Sequence, residues 1–233
     1  MVTDVDGTLT DANRRLDPEA IRWVRRLEDR RIPVVLATGN VLPIALALHR
    51  SLGLSGPIVA ENGGVVYQRV EGEDRVERLA DQGIALRAYR ALRRAGIPVR
   101  RLFTDRWRES EVALEPTIPL SRIRRGIRNL PVEVESTGYA IHLMERGAGK
   151  HIALDRALAP LGFGLRDCVA LGDGDNDVAM LRGAGFGVSF SSASARARRA
   201  ARYVTRARFS KGFVEGLKAS AVLRSPSSSP GGN

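Results

Sequence analysis

Four acidic side chains, Asp4, Asp6, Asp173 and Asp177, are the residues of this 233-residue chain whose type and spacing could do chemistry. The first two lie in the opening MVTDVDGTLT, the second two in the run GDGDND from Gly172 to Asp177. Along a strand, side chains at i and i+2 project to the same side. Asp4 and Asp6 can therefore present both carboxylates to one place, with Gly7 letting the chain turn behind them. Carboxylates massed together repel unless something neutralises them, and a divalent cation is the common solution. An all-oxygen ligand set points to magnesium. The alternative of a calcium loop fails by position: with Asp173, Asp175 and Asp177 at places one, three and five, place six falls on Val178 and place twelve on Ala184, where glycine and glutamate are required.

Two further polar residues stand where they could join this group: Thr38 in ATGN, after an apolar run, and Lys150 at the start of a helical pattern. Either alone is ordinary loop or capping chemistry.

The elements that must position these residues are legible in outline. LDPEAIRWVRRLEDRRI reads as an amphipathic helix with Asp17 as N-cap and Pro18 at its first position. IPVVLATGN is a short strand ending in a turn, VLPIALALHRSLG a second helix, and PIVAENGG another strand. The pattern resumes at GKHIALDRALAPLGF (helix), CVALGDGDND (strand and loop), DVAMLRGAG (helix) and FGVSF (strand). Alternation of this kind predicts a parallel sheet with crossover helices, and hence a ligand crevice at the carboxyl ends of its strands.

Residues 79–148 have a different texture. DQGIALRAYRALRRAG and LSRIRRGIRNL look helical, while VRRLFTD, SEVALEP, PVEVES and YAIHLME look like short strands with a poorer apolar run. That predicts an inserted α/β domain built on a small antiparallel sheet, exposed on one face. The expected organisation is a core from residues 1–78 and 149–223, the insertion at 79–148, and a disordered Ser/Pro/Gly tail at 224–233.

Composition narrows the class. With 43% hydrophobic residues the chain can bury a core. No apolar run approaches the ~18 residues of a membrane span, and no signal peptide is visible, so a cytoplasmic location is expected. The net charge of +11 is almost all arginine, dispersed at helical spacing, which favours solvated helix faces over a nucleic-acid surface. Cys168, the single cysteine, is expected to be a buried structural thiol. His49, His142 and His151 lie outside the motifs and are expected at the surface or in the insertion, with His142 the one that could meet substrate.

Taken in order, D-x-D-G-T, a strand-end Thr, a helix-start Lys and G-D-x-x-N-D resemble the haloacid dehalogenase superfamily, and the fold so implied is α/β, a Rossmann-like parallel sheet core with an inserted small α/β cap domain. Length, ATGN, ENGG and the small cap are most similar to the archaeal-type phosphoglycolate phosphatases, over residues 1 to about 218.

The resemblance implies that Asp4 is the nucleophile and Asp6 the general acid and base. It implies that Mg2+ is held by Asp4, the Asp6 backbone carbonyl, Asp173 and Asp177, and that Thr38, Gly39, Lys150 and Asn176 contact the phosphoryl group. Asp175, the variable position, is expected to be solvated. A small phosphorylated metabolite is the implied partner and 2-phosphoglycolate the expected substrate, with Arg101, Arg106 and Arg108 as candidates for its carboxylate. Sugar-phosphate or mannosyl-phosphoglycerate-type phosphatases are the alternatives within the superfamily; a basic nucleic-acid-binding module is the alternative outside it. Self-association stays open. Only three residues precede Asp4, fewer than the ~5–6 of an ordinary strand, so the natural product is expected to begin a few apolar residues earlier.

Overall fold

The computed structural model describes residues 1–137, 139–220 and 222; the expected disordered tail at 224–233 lies outside them. The strands of the larger sheet are β1 (Val2–Thr3), β2 (Val35–Ala37), β3 (Ile58–Ala60), β4 (Val65–Val70) and β5 (Glu73–Arg78), followed after the insertion by β9 (Val169–Leu171), β10 (Phe186–Ser189) and β11 (Tyr203–Val204). Their order is β11-β10-β9-β1-β2-β3-β4-β5. All neighbours from β11 to β3 pair in parallel, and β4 and β5 close the edge as an antiparallel hairpin. The chain leaves β1 toward β2 on one side and later returns to it at β9 on the other. Strand order thus reverses at β1, where an open α/β sheet has its ligand crevice.

Period-two alternation divides the sheet's side chains between two cores. Leu36, Ile58, Leu171 and Val188 face a cluster with α1 (Pro18–Glu28), α2 (Leu42–Leu52) and α8 (Phe209–Ser220). Val35, Ala37, Val59 and Ala170 face the opposite cluster with α5 (Lys150–Leu158) and α6 (Val178–Gly183). The remaining core helix, α7 (Ala195–Ala200), lies between β10 and β11 in sequence. Asp17 caps α1 by accepting from the Glu19 amide, and Pro18 occupies the first turn. The Asp17 carboxylate also accepts from the Ser210 hydroxyl at 2.7 Å, tying α8 to α1.

The insertion has its own sheet, β6 (Val112–Leu114), β7 (Val132–Ser136) and β8 (Ile141–Glu145), in the antiparallel order β6-β8-β7. One face packs with α3 (Gln82–Arg94) and α4 (Leu120–Gly126) into a third cluster that includes Leu92, Ile123, Ile141 and Leu143. The other face was expected in solvent. Instead, His142 and Met144 are buried there, because that face covers the carboxyl ends of the larger sheet. VRRLFTD, expected as a strand, contributes only an isolated bridge at Arg101, and Phe103–Trp107 forms a 3-10 turn.

Two glycines permit close approaches that hold the architecture. Gly7 has φ 78°, and a Cβ there would lie 2.2 Å from an Asp173 carboxylate oxygen. Gly63 has φ 105°, and a Cβ there would lie 2.4 Å from the Gly149 backbone just before α5. Gly53, which ends α2, also has positive φ, yet its Cβ position is open. Gly53→Ala is therefore expected to cost about 1 kcal/mol for the left-handed conformation alone. Gly63→Ala is expected to cost about 1–3 kcal/mol more, because rigid backbone blocks the new methyl. Denaturant midpoints at unchanged slope measure both; equal losses would show that Gly149 moves aside freely.

Candidate active site

The site is assembled where β1, β2 and β9 end. Asp4 follows β1 directly, with its amide donating to the Leu171 carbonyl at 2.9 Å. Thr38 follows β2, with its amide bound to the Val59 carbonyl at 2.8 Å. Asp173 lies two residues beyond β9, and Lys150 is the first residue of α5.

Lys150 is the centre of the arrangement. Its side chain is 1% exposed, and Nζ donates to Asp4 Oδ1 at 2.8 Å and to Asp177 Oδ1 at 2.6 Å. Burial pulls the ammonium pKa down, but Asp177 and Asp4 together raise it above its ordinary value. Asp177 uses its other oxygen to accept from the Asp173 and Gly174 amides at 3.0 and 2.9 Å. One side chain thereby fixes both the lysine and the GDGDND loop.

Asp4, Asp173 and Asp177 offer oxygens that lie within 4.8 Å of one another and could hold a metal ion. The donors are all carboxylate oxygens, the chemistry of a hard divalent cation. The electrostatics agree. Burial, with Asp177 and Asp173 adding repulsion, raises the Asp4 carboxyl well above its usual range despite Lys150. Burial and Asp177 likewise push Asp173 up to about 7. Three carboxylates against one ammonium leave an excess of negative charge that a bound cation would offset.

The Asp6 carboxylate stands apart from that trio: its Oδ2 accepts from Asn40 Nδ2 at 2.8 Å. The same Asn40 is held by Thr38, whose Oγ1 accepts from the Asn40 amide at 3.1 Å and from Nδ2 at 3.2 Å. Thr38 is buried and reaches the site through Asn40.

A cavity of about 520 Å³ opens above these residues, between the core strand ends and the cap sheet. Asp4, Asp6, Gly39, Asp173 and Asn176 line it, whereas Thr38, Lys150 and Asp177 lie beneath its floor. On the cap side it meets Arg108, Thr137, Tyr139 and His142. Of the three arginine candidates, only Arg108 lines the cavity. Arg101 pairs with Asp105, and the Arg106 guanidinium lies over the Phe103 ring at 4.3 Å.

Other expectations need correction. Asp175 is not simply solvated: it accepts from Ser194 Oγ at 2.6 Å, beside the N-terminus of α7, and pairs with Arg196 at 3.2 Å. His49 is a buried core residue bonded to the Gly56 carbonyl at 2.7 Å, because the chain folds back over α2 there. Cys168, by contrast, is a buried free thiol as expected. The residues that sequence reasoning missed are Asn40, Asn62 and Glu111. Asn40 and Asn62 sit in ATGN and ENGG, so the turns were visible but their long-range partners were not.

Comparison with known proteins follows the same lines. The description haloacid dehalogenase-like hydrolase matches residues 1–107 and 120–217. A phosphoglycolate phosphatase of Methanothermobacter thermautotrophicus is 38% identical over 219 residues, covering 94% of this chain and 96% of that protein. The phosphoglycolate phosphatase of Methanopyrus kandleri is 37% identical over 224 residues, covering 94% and 95%. The crystal structure of Thermoplasma acidophilum 0175 shares the fold with a TM-score of 0.83, at 24% identity and with 94% and 96% of the two chains covered. Similarity that spans both halves of the core, at these identities and over nearly the whole of the relatives, makes this chain a member of the haloacid dehalogenase-like hydrolases.

Proposed function

We propose that the chain is a magnesium-dependent phosphomonoesterase that hydrolyses 2-phosphoglycolate to glycolate and phosphate through an aspartyl phosphate on Asp4. The observation that carries this reading is the Asp4 carboxylate at the end of the central strand, facing the cavity while ion-paired to buried Lys150 and grouped with Asp173 and Asp177. The relatives named as phosphoglycolate phosphatases support the choice of substrate.

In the first step an Asp4 oxygen forms a bond to phosphorus as the bond to the glycolate oxygen breaks, and Asp6 gives its proton to that oxygen. In the second, Asp6 takes a proton from water, the water oxygen bonds to phosphorus, and Asp4 leaves as a carboxylate. Asn40 holds the Asp6 carboxylate in place for both transfers. Lys150 has three donors, two of them engaged by Asp4 and Asp177, so one remains for a phosphoryl oxygen. The Gly39 amide and Asn176 amide group supply further donors for the charge that develops in the transition state. Asp4, Asp173, Asp177 and the Asp6 carbonyl would hold magnesium, which would supply the positive charge that lets an anionic nucleophile meet an anionic phosphate.

The substrate's other end is a carboxylate, and Arg108 is the cap residue suited to it. It is a buried cation on the cavity wall, its Nη1 donates to the Gly39 carbonyl at 3.1 Å, and its Nε has no hydrogen-bond partner. A guanidinium on the cavity wall is a natural donor to a substrate carboxylate.

Asp4→Asn is expected to lower turnover on the order of 10⁴-fold with an unchanged circular dichroism spectrum, since the amide keeps the shape and loses the nucleophile. A variant retaining a tenth of the activity would exclude Asp4 from that role. Chelation should abolish hydrolysis and added magnesium restore it. Asp173→Ala should need at least about tenfold more magnesium for half-maximal rate; an unchanged requirement would remove Asp173 from the ligand set. Arg108→Ala should raise KM for phosphoglycolate at least about tenfold more than KM for an aryl phosphate without a carboxylate, a loss the size of one charge-assisted bond. Equal effects on the two esters would count against carboxylate recognition.

A further inference from the structure

A buried line of hydrogen bonds crosses from cap to core, and the phosphate chemistry above makes no use of its middle members. Glu111, just before β6, has a side chain 1% exposed. Its Oε1 accepts from Arg108 and from His142 Nδ1, the latter at 2.8 Å. Its Oε2 accepts from Asn62 Nδ2 at 3.1 Å. Asn62, in the turn after β3, has φ 55° and ψ 23°, and its amide donates to the Thr38 carbonyl at 3.1 Å. Its Oδ1 accepts from Asn176 Nδ2 at 3.0 Å. The line therefore runs from His142 on the cap wall of the cavity to Asn176 on its floor.

The direction of every bond in this line follows from one group. Burial works against ionisation of Glu111, but the charges of His142 and Arg108 bring its carboxyl down to about 2. An ionised carboxylate can only accept. Asn62 must then turn its NH2 toward Glu111 and its oxygen toward Asn176, and Asn176 must answer with an N–H. On the other side, His142 must present an N–H on Nδ1 to Glu111, and its Nε2 is directed to Thr137 Oγ1 at 3.5 Å in the cavity wall.

We propose that Glu111 and Asn62 are a positioning pair: they set the donor–acceptor direction of this line, so that Asn176 offers its remaining N–H to the substrate and His142 offers Nε2. Because Glu111 belongs to the cap and Asn62 to the core, the same pair links the orientation of the floor loop to the seating of the cap. The proposal rests on the reading of this cavity as a phosphomonoesterase site. A purely structural role would make Glu111 only the counter-ion of Arg108 and His142.

Exchanging the two groups separates these roles. Glu111→Gln leaves one acceptor oxygen, so an NH2 confronts the Asn62 NH2. Asn62→Asp sets a second carboxylate against the first. Each is expected to lower kcat about tenfold or more while KM for the same phosphate ester moves less than about threefold, as for residues that orient directly acting groups. The double variant Glu111→Gln with Asn62→Asp conserves net charge and shape. The new amide donates to the new carboxylate, which still accepts from Asn176, and kcat should return to within about threefold of wild type. Melting temperatures should follow the same pattern, lowered in each single variant and recovered in the double. A double variant no faster than the slower single one, or one that does not fold, would overturn the proposal, as would single variants within twofold of wild-type kcat. Should a single variant fail to fold, the double against the remaining one decides. A wild type that hydrolyses no phosphate monoester would overturn the functional reading instead, and the melting temperatures would still test the pair.

Discussion

An ammonium group with no water around it organises this molecule. Removing Lys150 from solvent costs several kcal/mol unless its charge is matched at close range, and Asp4 and Asp177 match it from two different segments. Satisfying that one cation brings the ends of β1 and β9 and the start of α5 to a common point. The close approach of Gly63 to Gly149 lets α5 enter there. The arrangement costs stability, because Asp4 and Asp173 are held in a partly frustrated state by burial and mutual repulsion. A cation bound among the carboxylates would relieve that frustration by meeting them with opposite charge.

The cap is fastened to the core by a second buried carboxylate. Glu61, which burial raises in pKa, accepts from the Glu109 and Ser110 amides and from Ser110 Oγ, the last at 2.6 Å. These bonds anchor the segment that carries Arg108 and Glu111, so both side chains enter the cavity wall from a fixed backbone. Alternation along β8 completes the wall. With Ile141 and Leu143 turned into the cap cluster, His142 must face the opposite way, over the floor. The cap's hydrophobic packing therefore decides which polar groups face the cavity.

Charge is separated by function in the same economical manner. Arg22, Arg25 and Arg26 of α1 lie exposed, while Ala20, Val24 and Leu27 are buried beneath them. Helical periodicity places those arginines in water, while the charges held at depth include those of the site and the cap seam: Lys150 with the acidic floor, Arg108, Glu61 and Glu111. The large positive net charge thus describes the surface far more than the site.

What the sequence by itself determined was whatever depends on near neighbours. Asp4 and Asp6 fall together at one strand end, though in the turn after β1 rather than along the strand as the spacing of two suggests, Asp17 with Pro18 starts a helix, and the order of four short motifs identifies the superfamily. The expected strand at VRRLFTD shrinks to one bridge at Arg101, because Val99 packs into the cap cluster and a 3-10 turn begins at Phe103. Tertiary structure alone decided the rest. Asn62 meets Glu111 across 49 residues and Asn176 across 114, and Lys150 meets Asp4 across 146. A buried hydrogen bond or ion pair constrains both partners, yet its trace in either local sequence is only a polar residue in a turn or at a helix start. Which polar residues are paired, and in which direction they donate, is settled only when the fold removes the water that would otherwise satisfy them.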